Sequence, residues 1–266
     1  MIRLVVSNQK GGVAKTTTAT TLARYFADKG FRVLIIDTDS QGSVGVALGL
    51  KPKNYLHQFV VNSFRFSDCI VSAGKNIDVL CSNRETVETE SLLMGRTGRE
   101  LTFQLLFSPW DEDKYDVVLV DVAPSISLLQ TCAIVYTQQM LIPVAMDPLS
   151  LQGAVAAIET SRTLNGLFRT NIRPVALLPV MVDRRLGITD VVLNALDGLV
   201  KQYGTSLLPA IRVDASVTKA IRAKQFLADF DPRCKAIEDY NSAFDQLYAE
   251  LKGQLDVKQP ALEAQV

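Results

Sequence analysis

The chain has 266 residues, 48% of them hydrophobic and 21% charged, which excludes a disordered polypeptide and allows one sizeable core. Lys and Arg (28) balance Asp and Glu (28), so contact with nucleic acid has to come from a local patch and not from global charge. No apolar stretch approaches the ~20 residues of a membrane span, and the opening apolar run is too short for a signal peptide; a cytoplasmic protein with no membrane partner is expected. Cysteines 69, 81, 132 and 234 show neither C-x-x-C pairing nor zinc spacing and read as reduced core thiols.

In chain order, apolar runs bounded by turn residues predict strands over 2–7, 32–37, 77–81, 115–121, 139–146 and 172–180. Amphipathic segments at 16–29 and 149–165 predict helices between them. A last helix is expected over 233–251, with Ile237, Tyr240, Phe244, Leu247, Tyr248 and Leu251 on one stripe. The strands are continuously apolar, the mark of a parallel sheet covered on both faces. Strand and helix alternate, so the expected architecture is a doubly wound, mostly parallel α/β fold. Residues 48–74 carry little pattern, and the single histidine within them, His57, is expected to face solvent or sit in a turn. With no repeat, linker or boundary, 1–266 reads as one domain, with 256–266 as a tail.

The first strand runs into "SNQKGGVAKTT", residues 7–17, and then into a helix. Strand, glycine-containing loop and helix make the context of a phosphate-binding loop. Backbone N–H groups of Gly11, Gly12, Val13, Ala14, Lys15, Thr16 and Thr17 can turn inward around phosphate oxygens at the positive end of the helix. Lys15 is placed for the β- and γ-phosphates and the Thr16 hydroxyl for magnesium. The loop breaks the usual pattern, however, with Gln9 and Ala14 at the two glycine positions and an additional Lys10. "VLIIDTDSQG" brings Asp37 and Asp39, and "VVLVDVAPS" brings Asp121, to strand ends, where open α/β sheets bind ligands. No Asn-Lys-x-Asp segment is present to read guanine, so adenine is the expected base.

These residues resemble the deviant Walker-A ATPases of the ParA/MinD family, and within them the ParA (Soj-like) partition ATPases. The segments that carry the likeness are "NQKGGVAKTTTATTLA", "VLIIDTDSQG", "YDVVLVDVAPS" and "LIPVAMDPLSLQG", with a looser echo in "LLPVMVDRRLG". Together they cover most of residues 1–185. The resemblance implies a P-loop NTPase fold and an ATPase that is weak until a partner stimulates it, with ATP and magnesium as cofactors. It implies that the early lysine, Lys10, reaches across a homodimer to the other subunit's phosphates, so that ATP joins the two copies. By the same likeness Asp39 positions the attacking water, Asp37 stands near magnesium, and Asp121 takes the Walker-B position. Asp183 and Arg185 match a D-x-R segment near the base, and Pro209 a residue lining the adenine. Ala14 replaces the family's glycine, which is tolerable at negative φ.

The resemblance further implies an ATP-loaded dimer that associates with the nucleoid by binding DNA without sequence preference. Arg212, Lys219, Arg222 and Lys224, on an expected helix, are its candidate contacts. Its cargo would be a plasmid or chromosome held by a centromere-binding, ParB-like partner, or a protein assembly such as a carboxysome or chemoreceptor array. A MinD-like membrane cycle would need a basic amphipathic C-terminus, and "GQLDVKQPALEAQV" does not supply one. A redox protein of the nitrogenase iron-protein type would need a cysteine spaced to accompany Cys132.

Overall fold

The computed structural model describes residues 1–255, excepting the side chains of residues 108–113. The expected tail, 256–266, lies outside the described residues. The elements follow as β1 (Ile2–Val6), α1 (Lys15–Asp28), β2 (Val33–Asp37), α2 (Ser43–Leu48), α3 (Leu56–Val60), α4 (Phe66–Cys69), β3 (Ile70–Gly74), β4 (Ile77–Leu80), α5 (Thr86–Leu93) and α6 (Thr102–Lys114). Then come β5 (Val117–Asp121), α7 (Leu128–Thr137), β6 (Gln139–Ala145), α8 (Pro148–Phe168), β7 (Arg173–Val180), α9 (Gly187–Tyr203), β8 (Ser206–Leu207), α10 (Ala215–Ala223), α11 (Leu227–Phe230) and α12 (Lys235–Leu251).

Among the described residues, the strands form one sheet in the order β3-β4-β2-β5-β1-β6-β7-β8, parallel throughout except where β3 meets β4. The central strands β2 and β5 are apolar up to their terminal aspartates because both faces are covered. In β2, Val33 and Ile35 join the core that holds Leu22, Phe26 and Phe244, while Leu34 and Ile36 join the one holding Phe103, Phe107 and Tyr136. Alternate residues of a strand point to opposite faces. Burying each such apolar side chain contributes about 1.5–3 kcal/mol.

The chain leaves β1 for β2 on one side, and after β5 crosses to β6 on the other. That reversal opens a crevice at the carboxyl ends of the central strands. Register makes the crevice acidic: Val6 pairs with Asp121, and Asp121 pairs with Asp37. Helix α12 carries the expected stripe and packs it on α1, with Phe244 against Tyr25 at 5.6 Å between ring centroids. Tyr248 is only partly buried.

Residues 48–74 contain α3, α4 and the edge strand β3, where sequence pattern predicted nothing. These helices are one turn each, and β3 is half exposed with an irregular register near Ser72 and Gly74, so neither period has room to show. His57 corrects its expectation. It lies buried in α3, with Nδ1 2.9 Å from the Thr89 hydroxyl of α5. Cys69, Cys81, Cys132 and Cys234 are buried free thiols. Burial pushes the Cys132 thiol up to about 12, and its Sγ donates to the Arg99 carbonyl. Among the described residues no helix is long and apolar enough to cross a membrane.

Candidate nucleotide-binding site

The loop between β1 and α1 is tied down from behind by α8. Asn8 donates through Nδ2 to the carbonyls of Pro143 (2.8 Å) and Ser150 (3.1 Å), and its Oδ1 accepts from the Lys10 N–H at 3.0 Å. A Cβ on Gly153 would stand 2.2 Å from that Oδ1, so only glycine lets α8 approach so closely. Gln9, at the position of the missing first glycine, donates to Thr160 of the same helix. Lys10 sits beside the α8 N-cap, its Nζ 3.9 Å from Asp147, a half-exposed pair worth at most about 1 kcal/mol.

Ala14 overturns its expectation. Its φ is +57° and ψ +29°, the left-handed region, because the chain must reverse there to start α1 with its N–H groups facing inward. Gly12, two residues before, has φ +74° and no such penalty. An alanine in that conformation costs about 1–2 kcal/mol, against about 0.5–1 kcal/mol of extra chain entropy for glycine. Ala14→Gly is therefore expected to stabilise the protein by roughly 0.5–1 kcal/mol, or a Tm gain of about 1–4 °C in thermal denaturation. A lower Tm would show that the left-handed turn is not the source of strain.

Lys15 is buried, and its Nζ donates to the Lys10 carbonyl at 2.9 Å. Desolvation lowers its pKa, opposed by the carboxylates of Asp121 and Asp39. Thr16 donates its hydroxyl to Asp121 Oδ2 at 2.6 Å, while Asp121 Oδ1 is buried with no partner. Burial raises the Asp121 pKa, with the Thr16 hydrogen bond and Lys15 opposing. Asp37 is raised too, first by burial and then by Asp121. Its two oxygens accept the N–H groups of Asp39 and Val44, both at 3.0 Å, so Asp37 shapes the turn leading into α2. Asp39 lies beyond the end of β2, borders the open cleft, and accepts the Gln41 N–H at 2.9 Å. An orphaned carboxylate oxygen beside a hydroxyl and a second acid is a place for a hard cation. Among the described residues no cluster of three His, Cys, Asp or Glu could hold a metal alone, which suits an ion such as magnesium that keeps waters and takes its other ligands from phosphate.

A cleft of about 680 Å³ opens over this loop. Gly11, Gly12, Ala14, Lys15, Thr16, Thr17, Asp39 and Pro124 line the cleft. Val13 does not line it; that side chain is buried in the core beneath α1. Apolar residues also border it, Val46 of α2, Met181, Ile211, Val213, and Val217 and Ile221 of α10, interleaved with Arg212, Asp214 and Thr218. Sequence reading missed this rim; its only trace is a set of large apolar residues without period, of which Val46 and Val213 are 65% and 60% exposed.

Asp183, Arg185 and Pro209, expected near the base, are not among the residues lining the cleft. Arg185 folds back onto Asp183, with Nη2 2.6 Å from Oδ2, and holds that carboxyl down at about 2. The cationic cluster also divides. Arg212 precedes α10 and is clamped by Asp239, which accepts its backbone N–H and the Nε and Nη2 of one guanidinium edge at 2.7–2.9 Å. Its charge is thus already balanced. Lys219 and Arg222 stand exposed on α10, and Lys224 caps its end at φ +57°. None of these three forms an ion pair among the described residues.

The parallel sheet, the loop after β1 and the acids at the ends of β2 and β5 define a P-loop NTPase of the deviant Walker-A type. Residues 1–173 match the model of a family described as an AAA domain. The chain belongs to that family and is ParA/Soj-like within it. It is 25% identical over 242 residues to the sporulation initiation inhibitor protein Soj of Bacillus subtilis, covering 89% of this chain and 94% of that one. Two uncharacterized proteins of Mycobacterium tuberculosis are 33% identical over 59% of the chain, and the chain spans about half (51%) of their length. In fold it is similar to Cyanothece McdA in an ATP complex, with TM-score 0.82, 19% identity, and coverage of 98% and 99% of the two chains. It is likewise similar to cobyrinic acid a,c-diamide synthase of Mycobacterium smegmatis with a bound ATP analog and magnesium, with TM-score 0.79, 24% identity, and coverage of 95% and 97%.

Proposed function

We propose that this chain is an ATP-driven switch of the partition and positioning kind. The observation that carries the reading is the buried, partnerless Oδ1 of Asp121, whose Oδ2 accepts the Thr16 hydroxyl, with Thr16 and Lys15 lining a cleft large enough for a nucleotide. Thr16 and Asp121 would hold magnesium, which supplies charge neutralisation at the phosphates when bound. Asp37, whose oxygens are engaged by backbone, sets the turn beside it. Gly11 to Thr17 would cradle the phosphates, with Lys15 as the cation at the β- and γ-positions, and the apolar rim of Met181, Val213 and Ile221 would receive adenine. Asp39, at the open side, would position the attacking water. Lys10 is held by α8 at the loop's outer edge, where a second ATP-loaded copy could meet it.

In this reading the ATP-bound homodimer binds duplex DNA without sequence preference, and an adaptor, ParB-like or attached to another cargo, stimulates hydrolysis and release. Cargo identity resides in that adaptor, so plasmid, chromosome and protein assembly remain outcomes for its identification. The likeness to Soj and McdA supports a positioning role, and Lys219, Arg222 and Lys224 supply unpaired cations.

The test is a titration with duplex DNA of arbitrary sequence at several salt concentrations, with ATP and with ADP. Tighter binding and a steeper salt slope are expected with ATP, because two copies neutralise more phosphates than one. Arg222→Glu with Lys224→Glu is expected to weaken DNA binding at least about tenfold while leaving ATP-dependent dimerisation, followed by light scattering, intact. Equal DNA binding in the two nucleotide states sinks the switch.

A further inference from the structure

The end of α10 does not stand alone. A Cβ placed on Gly49, at the end of α2, would lie 2.9 Å from both Cβ and Cδ of Lys224. The Lys224 stem therefore rests on the α2 C-terminus. Gly49 (φ +66°) and Lys224 (φ +57°) both adopt the left-handed region, so each helix ends in a sharp reversal where the two meet. The residues that leave α2 from this point are Leu50, Lys51, Pro52 and Lys53, and both lysines are exposed. Like Lys219, Arg222 and Lys224, Lys51 and Lys53 form no ion pair among the described residues. Neither "GLKPK" (49–53) nor "TKAIRAKQ" (218–225) contains an acid. In a chain of zero net charge, two distant segments that meet at Gly49 and Lys224 thus carry five uncompensated cations between them.

We propose that Lys51 and Lys53, joined to Lys219, Arg222 and Lys224 through the packing at Gly49, form one composite surface for the phosphate backbone of duplex DNA. This deepens the DNA-binding reading above and rests on it. A duplex fits better than a single strand, because the two segments contain no aromatic residue on which unpaired bases could stack. A lipid surface fits less well, because α10 is a short helix whose Val217 and Ile221 line the cleft, and anionic vesicles are therefore included in the test. The surface is also tied to the nucleotide site. Asp37 holds the Val44 N–H in the first turn of α2, and the last residues of that helix carry the Lys51 side of the patch.

The experiment compares wild type, Lys51→Glu with Lys53→Glu, and Lys51→Arg with Lys53→Arg. Each is titrated with an arbitrary duplex across salt concentrations in ATP and in ADP, alongside vesicles containing anionic phosphatidylserine and a fluorescent ATP analogue. The Glu pair is expected to bind DNA about tenfold or more weakly, with a salt slope shallower by about 0.9 for each phosphate it no longer neutralises. Its nucleotide affinity should match wild type, and the Arg pair should bind DNA as wild type does. If wild type binds DNA and the Glu pair binds equally well with an unchanged slope, the composite surface is overturned while DNA binding stands. If wild type binds no DNA in either nucleotide state, the DNA reading falls and the surface with it. Vesicle binding without DNA binding would assign the patch to a membrane and overturn the proposal.

Discussion

Lys15→Ala is expected to lower affinity for magnesium-ATP by about 10²–10³-fold, since hydrogen bonds to a charged group contribute about 1.5–3 kcal/mol each and this ammonium can make more than one. The structure explains why no neighbour substitutes. Lys15 is held under the loop by the Lys10 carbonyl, 2.9 Å from its Nζ, while Lys10 itself lies toward Asp147 at the outer edge. Removing Lys15 also takes away the cation that faces Asp121 and Asp39, so the acids then repel the phosphates. Calorimetric titration with magnesium-ATP measures the effect, with circular dichroism to show that the variant is folded. Affinity within about threefold of wild type, a difference of well under 1 kcal/mol, would mean that phosphate is bound elsewhere.

Asp39→Ala should separate binding from turnover. A group that positions or deprotonates the nucleophile contributes about 10²–10⁴ in rate, so hydrolysis should fall by that order. Nucleotide affinity should change little, because Asp39 borders the open cleft and is not among the groups tied to Thr16. The variant should accumulate as an ATP-bound dimer, which size-exclusion chromatography with light scattering would detect. Its carboxylate also accepts the Gln41 N–H, so a modest stability loss of about 1 kcal/mol is expected. Wild-type turnover would remove Asp39 from the reaction. Loss of nucleotide binding together with turnover would instead assign it to holding the loop.

The strands around the site were legible in sequence for a definite reason. β2 and β5 are buried on both faces and appear as apolar runs closed by Asp37 and Asp121, while β1 is apolar but for Arg3. Local chemistry singled out Lys15, Thr16 and Asp121 as well, since loop, hydroxyl and strand-end acid each have a fixed place in chain order. By contrast α3, α4 and β8 are too short to display a period, and β3 is a half-exposed edge.

By itself, then, the sequence determined the central strands, the doubly wound α/β class and the place of the glycine-containing loop after the first strand, because these depend on periodicity and on residues adjacent in the chain. Only the tertiary structure decided what depends on residues meeting from far apart. It set Ala14 at positive φ, since the turn there is imposed by the helix that follows and by α8 behind the loop. It removed Arg212 from the free cations by bringing Asp239 of α12 against it, and it set the stem of Lys224 against Gly49 at the end of α2. It turned Arg185 onto Asp183 and left the apolar border of the cleft to Met181, Val213 and Ile221. Charge pairing and close packing are properties of distance in space, which residue type and spacing along the chain do not specify.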